Sequence, residues 1–134
     1  MEGRVMSNNK GFSLIEIMIS LVVLLVIFMG LMQGALVAID SNMRDNLREE
    51  AISIANTQML TARDMSFAAL LAGTFSIPPI NKNFRNMPPF PFTATREVND
   101  LDANNKEVII TVSWTWKGPV YSHSVASIVR NPAA

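Results

Sequence analysis

One carboxylate in this sequence stands where its charge is hard to satisfy. Glu16 closes the stretch Lys10-Gly11-Phe12-Ser13-Leu14-Ile15-Glu16, and residues 17–39 beyond it carry no charge. An ionisable side chain inside a membrane span costs about 2.5–3.5 kcal/mol on insertion scales, and more if it stays charged and unpaired. The run contains no cation, so the partner has to come from another molecule or from a newly made amine. That is pairing chemistry rather than catalysis. With one histidine and no cysteine, and with no glycine-framed serine, phosphate-cradling loop or metal-ligand cluster, no catalytic residue, metal site or cofactor is assigned. The chain is not expected to be an enzyme.

The element that positions Glu16 is the apolar run itself. Residues 17–39 number 23, and their only strongly polar side chains are Ser20 and Gln33. At about 1.5 Å per residue they reach about 35 Å as a helix, enough for a hydrocarbon core of about 30 Å. Before the run, residues 1–11 are polar and carry Arg4 and Lys10, which the positive-inside tendency keeps cytoplasmic. Translation from Met1 or from Met6 gives the same organisation. An ordinary secretory signal places an apolar segment before its cleavage site; residues 1–11 contain no such segment.

Gly11-Phe12 followed by Ser13-Leu14-Ile15-Glu16 resembles the class III signal of type IV prepilins and pseudopilins. The resemblance implies that a prepilin peptidase cuts after Gly11, that Phe12 becomes a methylated N-terminus, and that Glu16, the fifth mature residue, pairs with the N-terminus of a neighbouring subunit during assembly. The alternative is an ordinary signal anchor with a stray glutamate. Many larger pilins close their C-terminal region with a disulfide, and the absence of cysteine departs from that pattern. The short head, the stretch from Arg48-Glu49-Glu50-Ala51 to Met59, and the ending from Val112-Ser113-Trp114 to Arg130 are similar to PilV-type minor pilins.

Composition agrees with a small domain on an anchor. The 134 residues are 49% hydrophobic, with a mean hydropathy of +0.25, and much of the excess lies in one block. Basic and acidic residues balance at 11 each; removing residues 1–11 takes away Arg4, Lys10 and Glu2 and leaves 9 basic against 10 acidic. Nucleic-acid binding relies on Lys and Arg neutralising phosphates, so no nucleic acid is expected as a partner. Gly30 and Gly34 in the outer half of the run allow either close helix packing or local loosening of the helix.

Past Ile39 the pattern turns amphipathic. Met43, Leu47, Ala51, Ile54, Ala55, Ala62 and Met65 recur at three- and four-residue spacing, with Arg44, Asp45, Arg48, Glu49 and Arg63 between them, the signature of a helix with one buried stripe. One helix is expected from about residue 12 to about residue 70. Its charged face is either solvated or, through residues such as Arg44, Arg48 and Glu49, in contact with neighbouring subunits. Residues 66–91 contain Gly73, Pro78-Pro79, Pro88-Pro89, Pro91 and the turn-favouring Asn81, Asn83 and Asn86, which predicts an ordered loop. Its Phe84, Met87 and Phe90, with Phe92, are read as covering the core; an exposed recognition surface is the alternative.

Three strands are expected after the loop, over residues 92–98, 107–116 and 120–129. In the second, Val108, Ile110, Val112, Trp114 and Trp116 share one face. Asn104-Asn105 and Lys117-Gly118-Pro119 supply the turns, so the third strand returns antiparallel. His123 in that strand is read as a strand side chain. Asp100 and Asp102, with Asn99, Asn104 and Asn105, form a polar turn; capping of the turn backbone is preferred to a calcium site, which needs several convergent oxygens.

The expected fold is α+β and pilin-like: a long N-terminal α-helix, transmembrane in its first half and amphipathic in its second, packed on a small antiparallel β-meander. The segments are a leader (1–11), a transmembrane half (12–39), an amphipathic half (40–70), and a connecting loop with the sheet (71–134). By resemblance the chain is a structural minor pilin of a type IV pilus or of its tip or initiation complex. Its partners would be other minor and major pilins, the prepilin peptidase, the inner-membrane assembly platform and membrane lipid. It would begin in the inner membrane, N-terminus cytoplasmic and head periplasmic, and end in the pilus. The alternatives are a minor pseudopilin of a type II secretion system and a tip pilin that binds DNA or a surface ligand.

Overall fold

A computed structural model describes residues 11–85 and 87–132. In order, the chain forms α1 (Leu14–Asp64), a short 3₁₀ turn (Phe67–Ala69), and strands β1 (Gly73–Lys82), β2 (Phe90–Asp100), β3 (Asn105–Thr115) and β4 (Val120–Arg130). The four strands make one antiparallel sheet in the order β1-β2-β3-β4, a meander. The chain divides into two compact units, Met1–Asn42 and Met43–Ala134.

In the first unit the described part of α1 is apolar on every side, and its large side chains are all exposed. It is the one described helix long and apolar enough to cross a membrane. The Ser20 hydroxyl donates to the Glu16 carbonyl at 2.7 Å, so this polar group is satisfied inside the helix, as a span requires.

In the second unit the remainder of α1 has one buried stripe: Leu47, Ala51, Ile54, Ala55, Met59 and Ala62. Met59 belongs to this stripe although it is not among the residues that the sequence spacing picks out. Opposite lie Phe92, Ala94 and Val98 of β2 and Val108, Ile110, Val112 and Trp114 of β3, with Leu70 closing one end. Strand residues alternate across the sheet, and the inward set on β3 is the one the sequence predicts, except that Trp116 falls just past the strand and is half-buried. On β4 the valine–isoleucine pattern is ambiguous, but burial is not: Tyr121, His123, Val125 and Val129 turn inward, while Val120 and Ile128 stay exposed.

Two expectations need correction. The helix ends at Asp64 rather than near residue 70. There the Met65 N–H reaches back to the Ala62 carbonyl at 3.3 Å, the tightened bond common in a last helical turn. The following residues make the 3₁₀ turn, held by Lys106: its ammonium donates to the Leu70 carbonyl, lies 4.9 Å from the centre of the Phe67 ring and pairs with Asp100 at 3.4 Å.

The second correction concerns residues 66–91, expected as a loop. Residues 73–82 are strand β1, so the sheet has four strands rather than three. Proline is admitted to sheets at edges and bulges, and β1 is both an edge strand and bulged. Ile77 pairs with Ala94 and Ile80 with Phe92, leaving Pro78 and Pro79 opposite Thr93 alone, the two-against-one count of a β-bulge. Phe84 and Phe90 do cover the core, with ring centres 6.1 Å apart and nearly perpendicular. Asn86 lies outside the described residues.

Between β3 and β4, Lys117 (φ 51°) and Gly118 (φ 107°) both adopt positive φ, as the two-residue hairpin turn favoured by strand twist demands. Replacing Leu47, fully buried at the head of the stripe, with Ala is expected to destabilise the second unit by about 3 kcal/mol. Urea unfolding of the detergent-solubilised chain, followed by tryptophan fluorescence, checks this.

Candidate functional site

Gly11, Phe12 and Ser13 precede α1. The Ser13 carbonyl accepts from the N–H groups of Glu16 (3.0 Å) and Ile17 (3.2 Å), which makes Ser13 the N-cap position. Glu16 therefore lies in the first helical turn, where the positive end of the helix dipole favours a carboxylate. It is exposed and forms no ion pair or side-chain hydrogen bond with a described residue. Nothing within the described chain neutralises it.

Phe12 is 80% exposed and has no hydrophobic core to enter. A Cβ built on Gly11 meets nothing within 4 Å, and the residue has no positive φ. The described chain thus has no steric or conformational need for glycine at this position, and any requirement for it comes from outside the fold. Residues 1–10, including Arg4, Met6 and Lys10, lie outside the described residues.

A family model for the prokaryotic N-terminal methylation motif matches residues 6–32. The chain carries a type IV pilin class III signal. The match takes in Gly11, Phe12, Glu16 and the first part of the apolar run. The match covers the N-terminal signal alone; it supports a pilin-like or pseudopilin precursor, a class that is structural rather than catalytic and whose members interact with prepilin peptidase and with other pilins. With the apolar helix it fits membrane anchoring. No curated protein and no solved structure matches the chain.

The other residues singled out in the sequence lie in the second unit. His123 is half-buried on the helix-facing side of β4, opposite Val112 in the strand register. Arg44, Arg48 and Glu49 are exposed on α1. Arg63 donates to the Ser127 hydroxyl of β4 at 2.6 Å, and Glu50 pairs with Lys82 of β1 at 2.6 Å. No group of three or more His, Cys, Asp or Glu residues converges on a point among the described residues.

The polar turn between β2 and β3 uses its oxygens internally. The Asp102 carboxylate accepts from the Asn104 N–H at 2.7 Å and from the Asn105 side-chain amide at 2.8 and 3.0 Å. The Asn104 carbonyl in turn accepts from the Asn131 N–H at 2.8 Å. The Asn105 amide first, and then the Asn104 N–H, hold the Asp102 carboxyl below its ordinary value. A depressed carboxyl stabilises the fold above the unfolded-state value, and that contribution disappears as pH falls through the folded-state value. The turn is therefore expected to hold at neutral pH and to loosen only below about pH 4. An NMR titration of Asp102 with amide exchange at Asn104 checks this, and Asn105→Ala should move the midpoint up towards the ordinary carboxyl value.

Proposed function

We propose that the chain is a minor pilin of a type IV pilus, similar to the PilV type, and that it acts by assembly rather than by catalysis. The observation that carries this reading is the placement of the class III signal: Gly11 and Phe12 lie just before a helix that is apolar all round, with Glu16 in its first turn. Prepilin peptidase cuts after Gly11 and methylates the amine of Phe12. The mature subunit waits in the inner membrane, N-terminus cytoplasmic and head periplasmic, until the assembly platform passes it to the pilus or its initiation complex.

Extraction then exchanges lipid around residues 17–39 for the helices of other pilins. The Glu16 carboxylate pairs with the N-terminal amine of a neighbour, and this pairing sets axial register. Removing one partner of a buried ion pair destabilises by about 3–5 kcal/mol, so a subunit inserted out of register is rejected.

Intact mass and N-terminal sequencing of the protein from its native membrane, with and without the peptidase, test the first step. The expected product starts at methylated Phe12 and forms only when the peptidase is present; an uncut chain in both cases overturns the reading. Glu16→Ala is expected to leave cleavage intact while reducing the amount recovered in sheared pili well below that in the membrane. Normal recovery would remove the register role. Recovery in a secretion pseudopilus instead of a pilus would reassign the chain to the minor pseudopilins.

A further inference from the structure

In the second unit, α1 and the β3–β4 hairpin enclose a pocket of about 310 Å³ lined by Arg44, Asp45, Arg48, Trp114, Tyr121, Ser122 and His123. Its aromatic wall is ordered. Trp114 and Tyr121 are register partners across β3 and β4, with ring centres 5.9 Å apart and planes 21° from parallel. Its polar wall carries Arg44, Asp45 and Arg48. Arg48 forms no ion pair with a described residue, so the fork of donors it carries has no carboxylate to bind. Guanidinium forks match the geometry of phosphate oxygens, and Trp and Tyr favour sites with one apolar and one wet side.

The chain itself supplies a source for such a ligand. Arg44 follows Ile39, the last residue of the apolar run, by five positions, at most about 18 Å of backbone. Whatever the pose of the second unit, connectivity holds the Arg44 end of the pocket close to the headgroup layer in which residues 17–39 terminate. Anionic headgroups attract basic side chains at that depth. We propose that this pocket binds the phosphate of an anionic lipid headgroup, whose charge no choline ammonium offsets, while the subunit is in the membrane, with Arg48 as its main ligand and Trp114–Tyr121 as its wall. The proposal rests on residues 17–39 spanning the bilayer.

The test uses the full chain in nanodiscs of phosphatidylcholine, alone or doped with phosphatidylglycerol, in a Trp116→Phe background so that Trp114 is the reporter. Phosphatidylglycerol should change Trp114 emission saturably. Arg48→Gln should shift the half-response by about tenfold or more, and Arg48→Lys, which keeps charge but loses the fork, should fall between. Far-UV circular dichroism establishes that each variant is folded. An equal response in Arg48→Gln, or none in the parent, overturns the site. An equal response to inorganic phosphate in phosphatidylcholine discs overturns the headgroup as its source. A response in those discs that follows the number of chains per disc assigns the pocket to a second copy and overturns lipid binding. Co-elution with the discs reports the span separately: a chain that enters them without a Trp114 response removes the pocket and leaves the span reading intact, whereas one that stays out overturns both.

Discussion

A helix that is apolar on every side has no face to offer its own protein. This constraint divides α1 into two kinds of sequence. From Leu14 to Ile39 every large side chain is exposed and the chain folds nothing over them; from Met43 onward a single stripe is buried under a sheet. The first kind can be covered only by lipid or by other molecules, the second by its own chain. The rest of the architecture follows from the second kind, since a four-stranded sheet is what the stripe from Leu47 to Ala62 needs to escape water.

The two carboxylates Glu16 and Asp102 show how differently one chemical group is treated. Asp102 is surrounded by donors from its own turn, and those donors account for its depressed pKa. Among the described residues Glu16 has no ion pair or side-chain hydrogen bond. A carboxylate satisfied at home stabilises a fold. One at the edge of an apolar run without such donors gives this fold no comparable support.

Much of this was legible in the sequence because the signals are local. The three- and four-residue spacing from Met43 to Met65 and the alternation from Val108 to Trp114 each identify an element and its buried face without knowledge of any other. The class III signal is a string of adjacent residues, and the family model meets it in the same place. What escaped depends on non-local facts. Pro78-Pro79 argues against a strand unless that strand is known to be an edge with a bulge, and edge status belongs to the whole sheet. The ambiguous faces of β4 were resolved only by its register with β3. Arg48 and His123 are 75 positions apart, and nothing in their separate surroundings says that they line one pocket.

The bulge on β1 has a consequence for how copies of this protein can add together. Growth by repeated strand addition needs two receptive edges, one to receive and one to offer. Pro78 and Pro79 carry no N–H, and the bulge they occupy interrupts the middle of β1, whereas β4 contains no proline. A sheet with one blunted side can pair once, β4 against β4, and then stops. An extended array of this chain therefore needs contacts other than its backbone ladder.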